Sequence, residues 1–295
     1  MKIDVGVLKE LRSATGAGIG DCKEALEASA GDIDKAREYL REKGVAKAHK
    51  KSSRDVADGL VAVHVEGTRG AILKLGCETD FVARNDRFRA FALDLAKRLH
   101  DFGSEDLDAF LAMPHDKEGG SSIKDEIVGV AAVLGENVVV SSIGVINLAS
   151  EGVLASYVHS AVGAGIGRAA ALVTLEVEGK LDGGSRGELE GFAKQIAMHI
   201  VAAKPESVSI DSLSSSVVEY ERSMVSKEVK ELGKPDSVAE KIIGGRMQKF
   251  FEDMVLMEQT FVIDGKTKVC NLLQERSDKI GCKVRVAGYK LFSIS

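Results

Sequence analysis

The 295-residue chain has little of several residue types that mark specialised protein classes. It contains no tryptophan, three prolines and four cysteines. No run approaches the roughly 18 consecutive apolar residues of a membrane-spanning helix. The four cysteines lie far apart without a CxxC pair, which favours reduced thiols in a cytoplasmic protein over a disulfide framework. The N-terminal residues include acidic side chains and no long apolar stretch, so we expect no signal peptide.

A strong net charge is also lacking. The chain has 40 basic and 45 acidic residues, for a formal charge of −5. This balance argues against a chain-wide nucleic-acid surface and favours a local protein partner. Residues 41–54 are locally basic, but no aromatic side chain lies among them to stack on bases. We therefore interpret that stretch as a solvated helix end and linker.

Sequence signatures of catalytic and nucleotide-binding sites are weak. Two glycine clusters begin like GxGxxG, but they carry Asp21 and Arg168 at the sixth position, and GxxxxGK[ST] does not occur. The six histidines are scattered without HExxH or a cysteine at metal-ligand spacing, so we predict no metal site and no cofactor. A nucleophilic Cys77 paired with a distant histidine stays open as an alternative, because such pairs meet only in the folded chain.

Residues 1–54 have the pattern of a small helical domain followed by a basic linker. Apolar residues recur at helical spacing in three runs separated by glycine-containing breaks. Val5 and Leu11 are predicted to face inward on the first helix, Ile19 on the second, and Gly44 is predicted to end the third.

From Gly59 onward the apolar period becomes that of strands. Residues 60–65 and 71–75 flank a glycine-containing turn and predict a hairpin. A helix reaching Leu99 follows, and a shorter one is predicted near 123–134. We assign residues 55–148 to the first half of a two-part core.

A second unit repeats this plan. Its predicted strands are 138–146, 153–159 and 169–177, and its predicted helix covers 189–203. The two long helices agree in residue character at an offset of 101, in the pairs Phe91/Phe192, Ala92/Ala193, Leu95/Ile196, Ala96/Ala197 and Leu99/Ile200. These positions share one helical face, which indicates a duplication, although two unrelated amphipathic helices would also match in this way.

Residues 149–264 form the predicted second half and include an antiparallel helical hairpin at 206–254. Gly233-Lys-Pro235 marks its turn. Val217, Tyr220, Met224 and Val229 are expected on the inner face of its first arm. Because such a hairpin buries little of itself, we predict that it docks or forms a homodimer. Residues 265–295 are the predicted C-terminal segment.

The segment from Thr79 to Asp86 places the large apolar ring of Phe81 in a polar turn. Thr79 or Asp80 can cap a short helical turn, and Asn85 or Asp86 can cap the helix that follows. On this local chemistry the ring folds back on the core like a hydrophobic staple. The alternative is that it is held outward for a partner.

The same segment, Thr79-Asp-Phe-Val-Ala-Arg-Asn-Asp86, resembles the signature of the elongation factor Ts family. Nearly the whole chain shares this resemblance. Further similar segments are Leu11 to Leu26, Ile196 to Ile200 with Pro205, and Gln259 to Asp264. Within these segments the sequence departs from the family at two places, with Ile19-Gly20 where two methionines are common and Thr260 where proline is usual.

The resemblance implies an α+β fold, with an N-terminal three-helix UBA-like domain, a duplicated strand–helix core with antiparallel sheets, and a protruding helical hairpin. It also implies a cytoplasmic guanine-nucleotide exchange factor without covalent chemistry, whose partner is elongation factor Tu rather than nucleic acid or membrane. The exchange factor would bind elongation factor Tu·GDP, displace Mg²⁺ and release GDP for GTP reloading. Residues implied beside the magnesium site are Thr79, Asp80, Phe81 and Val82. Further implied contacts are Thr15, Gly16, Gly18, Asp21 and His159.

Two other classes of function remain at this stage. The first is an interaction module that binds a different partner through its N-terminal helices. The second is the thiol enzyme built on Cys77. The first predicts capture of a protein other than elongation factor Tu, and the second predicts that Cys77→Ser abolishes activity.

Overall fold

A computed structural model describes residues 3–115 and 120–294 and shows the predicted α+β fold with antiparallel sheets. Met1, Lys2 and Ser295, which end the outermost predicted segments, lie outside the described residues. Two compact units are present, one comprising the described parts of 1–62, 73–143 and 293–295, and the other comprising 63–72 and 144–292. Among the described helices, none has the length and apolar character needed to cross a membrane.

Three helices form the N-terminal segment, as predicted: α1 (Val5–Thr15), α2 (Ile19–Ala28) and α3 (Ile33–Lys51). Their small core consists of Leu11, Cys22, Ala25, Leu26 and Ala36. The predicted inner faces were wrong at Val5 and Ile19, whose side chains are 64% and 56% exposed. Both residues open their helices and lie outside this small core.

The first half of the core contains β1 (Asp58–Glu66), β2 (Arg69–Cys77), α4 (Asp80–Ala83), α5 (Asp86–Phe102), α6 (Leu107–Leu111), α7 (Ile123–Leu134) and β3 (Val138–Asn147). The strands confirm the predicted hairpin, with only two residues between β1 and β2. Helix α5 buries Phe88 together with the predicted face, which consists of Phe91, Ala92, Leu95, Ala96 and Leu99. The sheet has the order β3-β2-β1-β5, where β5 is Ile166–Gly167.

Gly44 does not end α3, as the sequence had suggested, because the helix continues to Lys51. The glycine instead allows close packing, since α3 lies against α7. A Cβ atom on Gly44 would lie 2.7 Å from the Cβ of Ala132. The predicted basic linker is therefore helical through Lys51.

The second half contains β4 (Gly152–His159), β6 (Ala169–Glu178), α8 (Gly183–Ala203), α11 (Val269–Ile280) and β7 (Lys283–Ser293). Its sheet has the order β4-β6-β7. Strands β4 and β6 are antiparallel, with Val153 opposite Leu175 and His159 opposite Ala169. Helix α8 packs on both strands and buries Phe192, Ile196 and Ile200 against them.

The helical hairpin consists of α9 (Ser215–Glu231) and α10 (Asp236–Met254), which pack against each other. The predicted turn is confirmed, with Gly233 in the left-handed region and Pro235 at the N-cap of α10. The predicted inner face of α9 was wrong at Val217, Tyr220 and Met224, which are exposed. It was right at Val229, which is buried together with Val225. The helical arm also begins later than residue 206, since a 3₁₀ turn at Ile210–Ser212 precedes it.

The two halves share one topology. The order β1, β2, α5, α7, β3 in the first half matches β4, β6, α8, α11, β7 in the second. The match reaches single residues, because a Cβ on Gly59 would lie 2.2 Å from the carbonyl oxygen of Leu75, and one on Gly152 would lie 2.1 Å from that of Leu175.

The structure corrects one strand assignment in this repeat. The strand predicted at 138–146 as part of the second unit is β3, which pairs with β2 and is an edge strand of the first sheet. The corresponding edge strand of the second sheet is β7, from the predicted C-terminal segment. Chain order alone did not identify the partner, because pairing with β1 or β4 leaves one edge of β2 or β6 open, and any later strand can join that edge.

Candidate functional site

The turn that carries Phe81 lies between the end of β2 at Cys77 and the start of α5. Four of its residues form the one-turn helix α4. Asn85 is the N-cap of α5, and its Oδ1 accepts a hydrogen bond from the backbone N–H of Arg87 at 2.9 Å, as predicted. Phe81 is 80% exposed, whereas its neighbours Val82 and Ala83 are buried. The turn therefore anchors α4 through small side chains and leaves the large ring in solvent.

Thr79 occupies the N-cap position of α4, but its side chain does not cap the helix as predicted. Its hydroxyl instead donates to Oε1 of Glu136 at 2.5 Å. Oε2 of the same carboxylate accepts the backbone N–H of Thr79 at 3.0 Å and that of Glu78 at 3.1 Å. One carboxylate thus receives three donors from the residues that lead into α4. Sequence reasoning missed Glu136, because it lies 57 residues from Thr79 and has no motif of its own.

A second carboxylate, that of Glu78, binds the segment that carries Glu136. Oε1 of Glu78 accepts the backbone N–H of Asn137 at 2.7 Å, and its Oε2 pairs with Arg54 at 3.2 Å. These interactions lower the pKa of Glu78, with the Asn137 hydrogen bond as the largest cause. The side-chain amide of Asn137 donates to the carbonyl oxygen of Arg54 at 2.8 Å. Segments 78–79 and 136–137 therefore hold each other through reciprocal hydrogen bonds.

Asp80 opens α4 and stays close to solvent. Its carboxylate forms an ion pair with Arg84, one helical turn later, at 3.0 Å. Both side chains are well exposed, so the pair adds little to stability. What α4 presents to its surroundings is an apolar ring beside a carboxylate.

Cys77 is fully buried beneath this turn. Its Sγ–H donates to the carbonyl oxygen of Thr79 at 3.2 Å. Burial, followed by the negative charges of Glu136 and Asp58, raises the pKa of Cys77 to about 12. A neutral thiol without solvent access does not act as a nucleophile, so this environment counts against the thiol enzyme.

The predicted contact residues Thr15 to Asp21 include the end of α1, the connection 16–18 and the first turn of α2. Thr15 Oγ1 donates to the carbonyl oxygen of Leu11 at 2.7 Å, and Gly16 ends α1 with φ of +73°. Gly18 is the N-cap of α2, and Asp21 pairs with Lys43 at 3.2 Å. The exposed Ile19 lies within this segment. It forms a second surface where an apolar side chain points to solvent.

His159 ends β4 in the second half of the core. The ring is exposed, and its Nδ1 lies 3.3 Å from the hydroxyl of Tyr157. The two rings are tilted at a centroid distance of 6.2 Å. The structure thus presents an aromatic pair at the end of β4, where the sequence had singled out the histidine alone.

Two of the segments that resemble the family meet inside the second half. His199 of α8 is fully buried and lies between Gln259 and Val262. The Val262 N–H donates to its Nδ1 at 3.2 Å, so its Nε2–H donates to Oε1 of Gln259 at 3.0 Å. Burial lowers the pKa of His199, against the opposite effect of the Gln259 hydrogen bond. This neutral histidine joins α8 to the chain before α11, which is a structural role.

Comparison with known proteins agrees with these features. The family model described as Elongation factor TS matches residues 78–292. Elongation factor Ts of Anaplasma phagocytophilum (strain HZ) is 62% identical over 295 residues, covering 100% of both chains. That of Anaplasma marginale (strain Florida) is 59% identical over 294 residues, again covering 100% of both. That of Rhodospirillum rubrum is 36% identical over 293 residues, covering 99% of this chain and 93% of the relative.

Proposed function

We propose a detailed function from one premise: the chain belongs to the elongation factor Ts family. It is accordingly a translation elongation factor that acts by nucleotide exchange rather than covalent chemistry. Its proposed partner is elongation factor Tu in the GDP-bound form. On binding, it displaces the Mg²⁺ ion of that partner and promotes GDP release, so that GTP can be reloaded. We expect the protein to act in the cytoplasm.

The observation that supports this mechanism best is the exposure of Phe81. A large apolar side chain in water gains roughly 1.5–3 kcal/mol when a partner buries it. Here Phe81 is 80% exposed, so most of its apolar surface is available for such burial. The helix that carries it is held at both ends, by Glu136 before α4 and by Asn85 after it. Because the backbone that carries the ring is already held, less ordering is needed when the ring enters a partner.

The duplicated half has no equivalent of this ring. An offset of 101, which relates α5 to α8, places Asp182 opposite Phe81. Asp182 is the N-cap of α8, whose single helix runs without a break from Gly183 to Ala203. The first half instead interrupts the helical path at Asn85 and makes α4 a separate turn. This difference between the halves supports a functional reason for α4.

The energetics follow from linkage. Suppose that the exchange factor binds nucleotide-free elongation factor Tu more tightly than the GDP-bound form. Bound GDP then weakens binding of the exchange factor by some factor, and the bound exchange factor weakens binding of GDP by the same factor. Burial of the Phe81 ring in the partner supplies part of the required free energy, and loss of the metal ion from the partner supplies more. No bond is made or broken.

Further contacts are proposed on two surfaces. Thr15, Gly16, Gly18 and Asp21 would contact the nucleotide-binding domain of the partner, and the exposed Ile19 among them is the observation that supports this. His159 would contact another domain of the partner. Its exposed ring, oriented by Tyr157, suits such a contact.

The experiment is release of a fluorescent GDP analogue from elongation factor Tu. Phe81→Ala should fold normally and lose most of the acceleration, whereas Asp80→Asn should be milder because Asp80 is already paired with Arg84. Tyr220→Ala, which removes another exposed aromatic ring, serves as the matched control and should keep the rate. A larger loss for Asp80→Asn than for Phe81→Ala would reverse the proposed ranking of the two residues.

A further inference from the structure

We propose that Glu136 is a positioning residue for nucleotide exchange, because its carboxylate fixes the chain that leads into α4 and so the direction of Phe81. This inference rests on the proposed function of Phe81. Glu136 itself does not touch the partner in this account. It acts through Glu78 and Thr79.

The need for a positioning group follows from the size of α4. A helix of four residues gains too few internal hydrogen bonds to be stable alone. Its order must come from its flanks. On the downstream side, the Asn85 cap and the buried Val82 and Ala83 hold it. On the upstream side, the donors that precede α4 converge on Glu136.

The geometry of this carboxylate matches the task. Two backbone N–H groups share Oε2, and the hydroxyl of Thr79 uses Oε1, so both oxygens are occupied by the same short segment. Hydrogen bonds to an ionised acceptor are stronger than neutral ones. Together the three hydrogen bonds restrain the backbone of Glu78 and Thr79 and the side chain of Thr79, immediately before α4.

The carboxylate is itself held in place. Glu136 follows Gly135, which ends α7 in the left-handed region, and precedes the buried Asn137, the last residue before β3. The Asn137 N–H returns a hydrogen bond to Glu78 at 2.7 Å. A rigid helix end and a strand thus set the position of Glu136, which in turn sets the position of α4.

Loss of this carboxylate should lower the rate of GDP release from the complex rather than weaken the initial binding. Without an acceptor, the two N–H groups and the hydroxyl turn to water and the upstream flank of α4 loosens. The remaining proposed contacts, including Thr15 to Asp21, are unchanged. The encounter with elongation factor Tu therefore stays similar, while the ring reaches its site less often.

The test measures GDP release from elongation factor Tu as the exchange factor is titrated to saturation. Glu136→Ala should lower the maximal rate about tenfold, which is modest against the ~100-fold that small misplacements can cost. The concentration that gives half the maximal rate should stay within about twofold of wild type, as expected for positioning. Thr79→Val should lower the maximal rate in the same way, and Thr79→Ser, which keeps the hydroxyl donor, should restore it. Amide hydrogen exchange at residues 78–82 should accelerate in Glu136→Ala.

Glu176→Ala is the matched control for a merely structural loss. Glu176 is buried, whereas Glu136 is half-buried. Like Glu136, it accepts a backbone N–H, that of Ala149 at 3.1 Å, and it also pairs with Arg285. Both variants should unfold at lower temperature, but only Glu136→Ala should lower the maximal rate. Equal losses in both variants, or a wild-type maximal rate in Glu136→Ala, would overturn the inference. Phe81→Ala measured in parallel separates the two proposals, since an unchanged rate there would remove the proposed function itself.

Discussion

At the scale of single residues, the turn after β2 combines an exposed ring with a buried thiol. Phe81 lies in solvent, whereas Cys77, four residues earlier, is fully buried and donates its Sγ–H to Thr79. Burial raises the pKa of Cys77 to about 12, so the thiol is neutral over the physiological range. Cys77 therefore packs beneath the turn and has a structural role, not that of a nucleophile.

The Cys77→Ser variant should therefore keep full exchange activity, because a serine hydroxyl can donate to the same carbonyl oxygen. Its alkaline stability should differ from wild type. A thiol whose pKa is raised in the folded state stabilises the fold below the unfolded pKa, and this stability is lost as the pH rises. Between pH 9 and 10, the free energy of unfolding of the wild type should fall by about 1 kcal/mol more than that of Cys77→Ser.

Denaturant titrations at pH 8, 9 and 10 measure this difference. Tyr289, whose pKa is also raised to about 12 by burial, is present in both proteins and cancels in the comparison. Parallel pH profiles for the two proteins would contradict the assigned environment of Cys77. Loss of nucleotide exchange in Cys77→Ser would restore the thiol enzyme as a candidate.

Local sequence chemistry predicted some residues of the site and missed others for a clear reason. The Asn85 cap was predictable because its acceptor and donor are two residues apart. The role of Thr79 was not, because Glu136, its partner, comes from the far end of α7. The outward direction of Phe81 also required the resemblance to a family, since capping chemistry alone favours an inward ring.

At the scale of elements, glycine is used for packing as well as for ending helices. Gly44 lies inside α3, where the helix approaches α7 so closely that a side chain on it would meet Ala132. The sequence predicted a helix end there because glycine is a poor helix former. Tertiary contact overrides that preference, and only the folded chain shows it.

This packing makes a paired prediction. Gly44→Ala should destabilise the protein by about 1–3 kcal/mol through overpacking, although alanine favours helices. Gly129→Ala, in the middle of α7, has no atom within 4 Å of the new Cβ and should stabilise by up to about 1 kcal/mol. Chemical denaturation of both variants measures the two signs. A stabilising Gly44→Ala would contradict the close approach of α3 and α7.

The sequence predicted the duplication correctly for the two long helices but assigned only some of the strands to the right sheet. The offset of 101 between α5 and α8 follows from matched apolar positions on one face. The corresponding edge strand of each sheet, β3 or β7, was not assigned to its sheet by period alone. The comparison of the two halves also isolates α4, because the second half continues as a single helix where the first is broken.

At the scale of the whole molecule, the helical hairpin has both buried and exposed large apolar side chains. Val225, Val229 and Met247 are buried within it, while Tyr220 and Leu232 are exposed. The predicted homodimerisation through 206–254 stays a prediction. Its physical basis is now the exposed side chains rather than the inner stripe that the sequence suggested.

Light scattering of the free protein at working concentrations measures this association. A homodimeric mass that becomes monomeric in Tyr220→Ala would support a contact through α9. A monomeric mass for the wild type would contradict it. The proposed role of Phe81 does not depend on the outcome, since α4 lies outside the hairpin.

The central claim is that Phe81 promotes GDP release by displacing the Mg²⁺ ion of elongation factor Tu. The most direct measurement is the rate of GDP release with wild type and Phe81→Ala, first with excess Mg²⁺ and then with a chelator. Once the chelator has removed the metal, the ring has no metal left to displace. The account predicts a large defect of Phe81→Ala with Mg²⁺ and a small one without it. An equal defect under both conditions, or no defect with Mg²⁺, would contradict it.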